Sequence, residues 1–415
     1  MTSKSHRRKS PLLSRCSLAL VAWAIAASGP AGAQKPPADL TSLPPVPTDY
    51  TPKKTAWGDW DFSGKWPYDF AAQARILFQR SPGYGDRAWI TPEEHAKRVE
   101  NAKKADAAYD PEKTGISTQV GTVGMGKWIN ESDFSWRTSL IVSPRNGQLP
   151  PMTPKGQELF EKGRSGWVPG QAWDGPADFD TWDRCITRGF PASMFPNRYN
   201  NALEVYQSPG FIVIKLEMLG TRVIPIVDKV RALQHLPASV EAWFGDSRAY
   251  WEGKTLVIDT TNIKSGDAVS HDLSGRNAAP VIVTMVGGAP RNTIPTSKKA
   301  HAVERITMTG RDTILYQITY DDPEVFTAPW TAQLEWTRDN KYEFYEYACH
   351  EGNVQLRNYV SASRAVRAAR AKGELANFSD GNERFTRPFD VDPVAPKPAG
   401  AAPAPSAPAA TQTSK

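Results

Sequence analysis

From Ala202 to Ala348 the chain repeats one pattern: short segments of β-branched and aromatic residues, apolar and polar in alternation, cut by turn residues. Ten segments carry it: Leu203–Gln207, Phe211–Met218, Arg222–Val227, Arg248–Trp251, Thr255–Thr261, Val281–Val286, Ala302–Thr309, Thr313–Tyr320, Thr331–Trp336 and Tyr342–Ala348. Turn signals stand between them at Ser208-Pro209-Gly210, Glu252-Gly253, Gly310-Arg311-Asp312 and Arg338-Asp339-Asn340. A meander of this length curls or closes rather than staying flat. The predicted fold is mainly β, a lipocalin-like antiparallel barrel or strongly curved sheet, with an irregular N-terminal extension carrying short helices.

Helix signals are few. Thr91-Pro92-Glu93-Glu94 opens one, with an N-cap hydroxyl, proline at the first helical position and an acid at the third, and the polar run to about Ala108 continues it. Thr153-Pro154 opens a second that stops at Gly163, and Ser361–Lys372 forms a basic third closed by Gly373.

The ends carry different information. A basic start, an apolar middle from Leu18 to Ala27 and the small-residue exit Ala31-Gly32-Ala33 read as a secretory signal. The apolar stretch falls short of the roughly 20 residues that a membrane-spanning helix needs. The predicted organisation is a signal at 1–33, a flexible proline-rich segment at 34–56 and an N-terminal extension at 57–180. A β-rich ligand-pocket domain at 181–375 and a flexible Ala/Pro-rich tail at 376–415 follow. The expected location is the periplasm or the exterior, with no membrane span.

Removing residues 1–33 takes away Lys4, Arg7, Arg8, Lys9 and Arg15 and no acid, so the formal charge falls from +6 to +1, 45 basic side chains against 44 acidic. A near-balanced charge gives no footprint for nucleic acid and suits a small-molecule partner. Cys185 and Cys349 then remain, and an oxidising compartment predicts a disulfide between them. In the chain-entropy picture, closing so long a loop stabilises by about 4–5 kcal/mol.

Between Trp243 and Asn353 the strands carry charges that a plain apolar core does not need. In Thr255–Thr261 the side chain of Asp259 shares a face with Val257 and Thr261, and a buried carboxylate there must be paired or protonated. Glu304 and Arg305 point to opposite faces, so one of them meets Asp259, and an Asp259–Arg305 structural pair is the plainer reading. His350, with Glu351 and Asn353 in an expected loop, is a candidate general base, and His301 a second. The candidate catalytic set is His350, Asp259, Glu304 and Glu351.

The candidate ligand-binding set adds Trp243, Asp246, Arg248, Trp251, His301, Arg305 and Asn353. It also takes in Arg184, Arg188, Arg198 and Asn201, guanidinium and amide donors able to clamp an anionic or polyhydroxylated ligand or to satisfy loop carbonyls. Of the compact metal patterns none is present: His235, His271, His301 and His350 lack helical spacing, and there is no Cys-x-x-Cys. Ser193 lacks the second glycine of a nucleophile elbow, and glycine-rich phosphate loops are missing. No cofactor or metal is expected.

Five stretches taken together, Arg137–Val142, Leu149–Pro154, Arg184–Gly189, Trp251–Asn262 and Tyr347–Asn353, resemble an abundant family of exported bacterial proteins. The likeness runs from about Trp57 to Arg364. It implies export and a β-rich body and carries across no activity and no catalytic residue.

Two functions fit this reading. One is an exported binding protein for a small, partly apolar molecule held in a pocket walled by tryptophan and tyrosine. The other is a lyase, isomerase or hydrolase in the same pocket, with His350 as base and Asp259, Glu304 or Glu351 as its partner. A third, an envelope protein binding a polymer or another protein, places aromatic residues on an exposed face.

Overall fold

The computed structural model describes residues 36–67, 78–107, 135–162, 172–179, 181, 183–196, 200, 202–264 and 294–374. The segment Val281–Val286, the signal at 1–33 and the tail at 376–415 lie outside them.

The described chain is mainly β. A four-stranded antiparallel sheet has the order β1 (Gly64–Pro67), β3 (Ala202–Ser208), β4 (Phe211–Leu216), β5 (Thr221–Pro225). A six-stranded one runs β2 (Ile141–Ser143), β10 (Trp330–Thr337), β9 (Thr313–Asp321), β8 (His301–Gly310), β7 (Thr255–Thr261), β6 (Asp246–Glu252). Hydrogen-bonded ladders thus build two sheets rather than one continuous closed one. At one margin a parallel bridge joins Ile226 to Ala249, and at the other the Asp339 amide donates to the Lys65 carbonyl at 3.0 Å.

Alternation decides which residues lie between the sheets. Register places Ala249, Ile258, Glu304, Ile318 and Ala332 in one row across β6 to β10, with Trp251, Leu256, Ile306, Tyr316 and Leu334 in the next. From the smaller sheet, Trp66, Leu203, Val205, Ile212, Ile214 and Ile224 turn toward them, and all join a single hydrophobic cluster. The space is filled by aromatic rings in contact. Tyr316 stacks on Trp336 with centroids 4.7 Å apart, Tyr320 on Trp330 at 5.3 Å, and Trp251 meets Phe62 edge-on at 5.3 Å. Such pairs add stabilisation beyond the area they bury.

Among the described residues an ion pair crosses this core. Arg222 on β5 donates from both terminal nitrogens to Glu304 on β8, at 2.8 and 2.5 Å, and the Tyr316 hydroxyl donates to Glu304 at 2.8 Å. Arg222 also donates to Ser247, which bonds Thr260, and lies 4.8 Å from the Phe190 ring. Burial pushes the Arg222 guanidinium down, and attraction to Glu304 more than reverses it.

Among the described residues three α-helices lie outside the sheets: α1 (Pro92–Ala107), α2 (Pro154–Lys162) and α3 (Gln355–Ala371). The reciprocal cap forms as the sequence predicts. The Glu94 amide donates to the Thr91 hydroxyl at 3.2 Å and the Thr91 amide to the Glu94 carboxylate at 2.8 Å. Helix α3 begins at Gln355, six residues before its predicted start.

The proline-rich segment is held to the body at described positions. Ser42 O accepts from the Trp89 indole at 2.7 Å, and Lys254 donates to Asp49 O and the Thr51 hydroxyl. Tyr342–Ala348, expected as a strand, has irregular backbone instead. Its groups bond elsewhere: Tyr342 O accepts from Lys65 Nζ, and the Tyr345 amide donates to Glu217.

Cys185 and Cys349 are bonded, with Cα atoms 5.6 Å apart, closing a sequence separation of 164. The Asn353 amide group donates to Asp183 O at 2.9 Å beside this link. No helix among the described residues is long and apolar enough to cross a membrane.

Candidate functional site

The face of β6, β7 and β8 that turns away from the core carries a line of charged side chains. Register sets Arg248 opposite Asp259 and Asp259 opposite Val303, so His301, two residues before Val303, is the diagonal neighbour of Asp259. His301 Nε2 lies 2.9 Å from Asp259 Oδ2. The other oxygen, Oδ1, lies 2.9 Å from Nε2 of His235, and His235 Nδ1 lies 3.0 Å from Asp246 Oδ2. Asp246 is closed on its other side by Arg248 at 3.0 Å. The result is a chain Arg248–Asp246–His235–Asp259–His301.

His235 comes from the connection between β5 and β6, and backbone bonds fix it there. The Leu236 amide donates to Asp246 Oδ2 at 2.8 Å, Arg248 Nε to Gln234 O at 3.1 Å, and the Asn262 side chain to the carbonyls of Leu236 and Pro237. Asn262 reaches them from a left-handed backbone with φ 53°, a conformation that asparagine tolerates. Gly245 starts the return into β6 at φ 69°, where a Cβ would stand 2.5 Å from the Thr261 carbonyl oxygen.

Electrostatics couple the pair. For Asp259, burial raises the pKa, yet the hydrogen bonds and charges of His301 and His235 outweigh it and the carboxyl sits below its ordinary range. The Asp259 hydrogen bond lifts the His301 imidazole above the ordinary histidine value against the opposing effect of burial, with Asp321 adding to the rise. The linkage to folding has a definite sign. The His301 contribution is full below the unfolded histidine pKa and is lost as pH rises through the raised folded value. The Asp259 contribution is present above the unfolded carboxyl pKa and is lost as pH falls through the lowered folded value. Both act fully between those unfolded values, from about pH 4 to about 6.5.

Tyr250, Glu252 and Arg305 extend the same face. Arg305 pairs with Glu252 at 2.7 Å, which corrects the expected Asp259–Arg305 pair: the diagonal from Asp259 that is occupied runs to His301. Glu304 belongs to the opposite face and is spent on Arg222, so it does not meet Asp259. Trp251 likewise turns inward onto Phe62, while Trp243 lies under Lys264 with 4.5 Å to the ring centroid.

The remaining predicted residues form a different group. His350 and Glu351 sit exposed in the turn beyond Cys349, and among the described contacts neither bonds to Asp259 or Glu304. Asn353 is an anchor for the Asp183–Cys185 loop. Arg188 donates to the Phe195 carbonyl at 3.1 Å, the carbonyl-satisfying role. With Ser193, Asn200 and Glu217 it borders a cavity of about 10 Å³, room for one water. Burial raises the Glu217 pKa against the hydrogen bonds it accepts. Arg184 lies half-buried beside the disulfide, and Arg198 and Asn201 fall outside the described residues. Of the tryptophan and tyrosine rings expected to wall a pocket, Tyr316 stacks on Trp336 and Tyr320 on Trp330 within the core.

Of the predicted residues, then, Asp246, Arg248, Asp259 and His301 come together, and His235 joins them unpredicted. Among the described residues no cluster of three or more His, Cys, Asp or Glu is arranged to hold a metal ion. Compared with known protein families, curated proteins and solved structures, the chain gave no significant match.

Proposed function

We propose that this is an exported protein that performs acid–base chemistry on a small molecule at the Asp259–His301 pair, as a lyase, isomerase or hydrolase. One observation carries the reading. His301 offers Nε2 to a carboxylate, and its Nδ1 makes no hydrogen bond among the described residues while its side chain is 38% exposed. A carboxylate behind an imidazole fixes the tautomer, raises its basicity and leaves the far nitrogen to take or give a proton. The base acts above the raised pKa of His301, the acid below it. Such transfer draws on side chains alone.

Export rests on the disulfide, on the leader-like N-terminus and on the likeness to exported bacterial proteins in the motifs quoted above. A flattened, lipocalin-like barrel is the reading of the two sheets that best fits their contacts at both margins.

A screen of chromogenic esters, lactones, phosphoesters, glycosides and substrates bearing an amidine or imidazole group, on the wild-type protein and on His235→Gly, searches for the substrate class. His301→Gln and Asp259→Asn are then expected to lower kcat/KM by about 10²–10⁴-fold while leaving the fold intact. Undiminished turnover by the folded His301→Gln variant overturns the proposal.

A further inference from the structure

The connection that carries His235 is bound to the sheet in an uncommon way. From Arg231 to Val240 nearly every residue is exposed, with Leu236 and Val240 at 46% and 48%, and Val230 just before them at 58%. The strap therefore buries little apolar surface. What holds it is a set of polar contacts: His235 on Asp246 and Asp259, the Leu236 amide on Asp246, Arg248 on Gln234 O, and Asn262 on two carbonyls. Contacts of this kind open at low cost compared with core packing, because water replaces them.

His235 also occupies a position of chemical interest. Each Asp259 oxygen meets one imidazole, so the oxygen not used by His301 is filled by the strap. Asp246 Oδ1 is taken by Arg248, and its Oδ2 faces the same ring. Two acceptor oxygens thus flank one five-membered ring, and both contacts are hydrogen bonds only when both ring nitrogens carry protons.

The geometry points to an autoinhibitory strap: His235 stands where the substrate's own N–H donors bind, and lifting the Gln234–Pro237 segment exposes a site for a compact nitrogen base with a donor at each end. An imidazolium, amidinium or guanidinium group has that donor pattern. Bound there, it bridges Asp246 and Asp259 and comes beside His301 through their common carboxylate. This inference names the ligand class for the proposed acid–base pair and rests on that reading.

Imidazole is the probe. In His235→Gly the vacated position is expected to bind imidazole at least tenfold more tightly than the wild-type protein does, by titration calorimetry, and adding Asp246→Asn is expected to remove that gain. Equal affinity in the wild type and His235→Gly, or a gain that survives Asp246→Asn, overturns the inference. Should the glycine variant not fold, hydrogen exchange of the Leu236 amide in the wild-type protein decides. Imidazole is expected to speed it several-fold by displacing the strap, and unchanged exchange at saturating imidazole contradicts it. These readouts need no turnover. Their failure with His301-dependent catalysis intact removes the ligand class alone, whereas imidazole binding without such catalysis removes the reaction and keeps the strap.

Discussion

Glu304→Gln is expected to cost about 3–5 kcal/mol of stability, the penalty for leaving one member of a buried ion pair without its counter-charge. Arg222 and Glu304 have side chains 2% and 0% exposed, so water cannot take the place of the lost carboxylate. Glutamine keeps the volume of glutamate, but its amide offers one acceptor oxygen where two guanidinium nitrogens and the Tyr316 hydroxyl all donate. Arg222→Met leaves the complementary defect and belongs in the same range. The double variant Arg222→Met with Glu304→Leu is expected to recover most of the loss, since apolar replacement of both partners removes the desolvation problem. Denaturant unfolding of the four proteins forms a double-mutant cycle. A loss below about 1 kcal/mol in both single variants contradicts a pair that ties the sheets together through a dry interior.

Replacing Cys185 and Cys349 together by serine is expected to cost about 4–5 kcal/mol, chiefly by returning conformational freedom to the unfolded chain. On a body of this size that corresponds to a fall in Tm of about 6–7 °C. The folded state also loses local order, because the link draws the turn at His350–Asn353 onto the Asp183–Cys185 loop, where Asn353 bonds Asp183 O. Thermal melts with and without reductant test this on the native sequence. Identical melting temperatures contradict a stabilising link.

The strands were legible wherever alternation met a ladder partner. Thr255–Thr261 has the predicted bounds, and β8, β9 and β10 differ from the prediction by a residue or so at their ends. Tyr342–Ala348 alternates just as well, yet its polar groups are taken by Lys65 and Glu217, and alternation alone does not reveal a competing partner. The short strands at Gly64 and Ile141 were missed because four and three residues carry no measurable period.

The site was legible in half. Charges at Asp246, Arg248, Asp259 and His301 stood out against apolar strands, and the alternation put Glu304 and Arg305 on opposite faces, so that one of them could meet Asp259. Which side chains meet depends on the stagger between β7 and β8, which turns and loops set outside the segment. His235 gave no signal, since it is a lone histidine in a connection whose position is fixed by backbone bonds to Asp246, Arg248 and Asn262. The interior was misjudged for a related reason: aromatic rings that suit a cavity wall serve equally well packed face to face.

The proposed chemistry depends on Asp259 holding and charging the His301 ring, and titration of that ring by NMR measures this directly. In the wild-type protein its pKa is expected above the ordinary histidine value, and in Asp259→Asn it is expected to fall as the carboxylate is lost. A His301 ring that titrates at the same pH in both proteins contradicts the account.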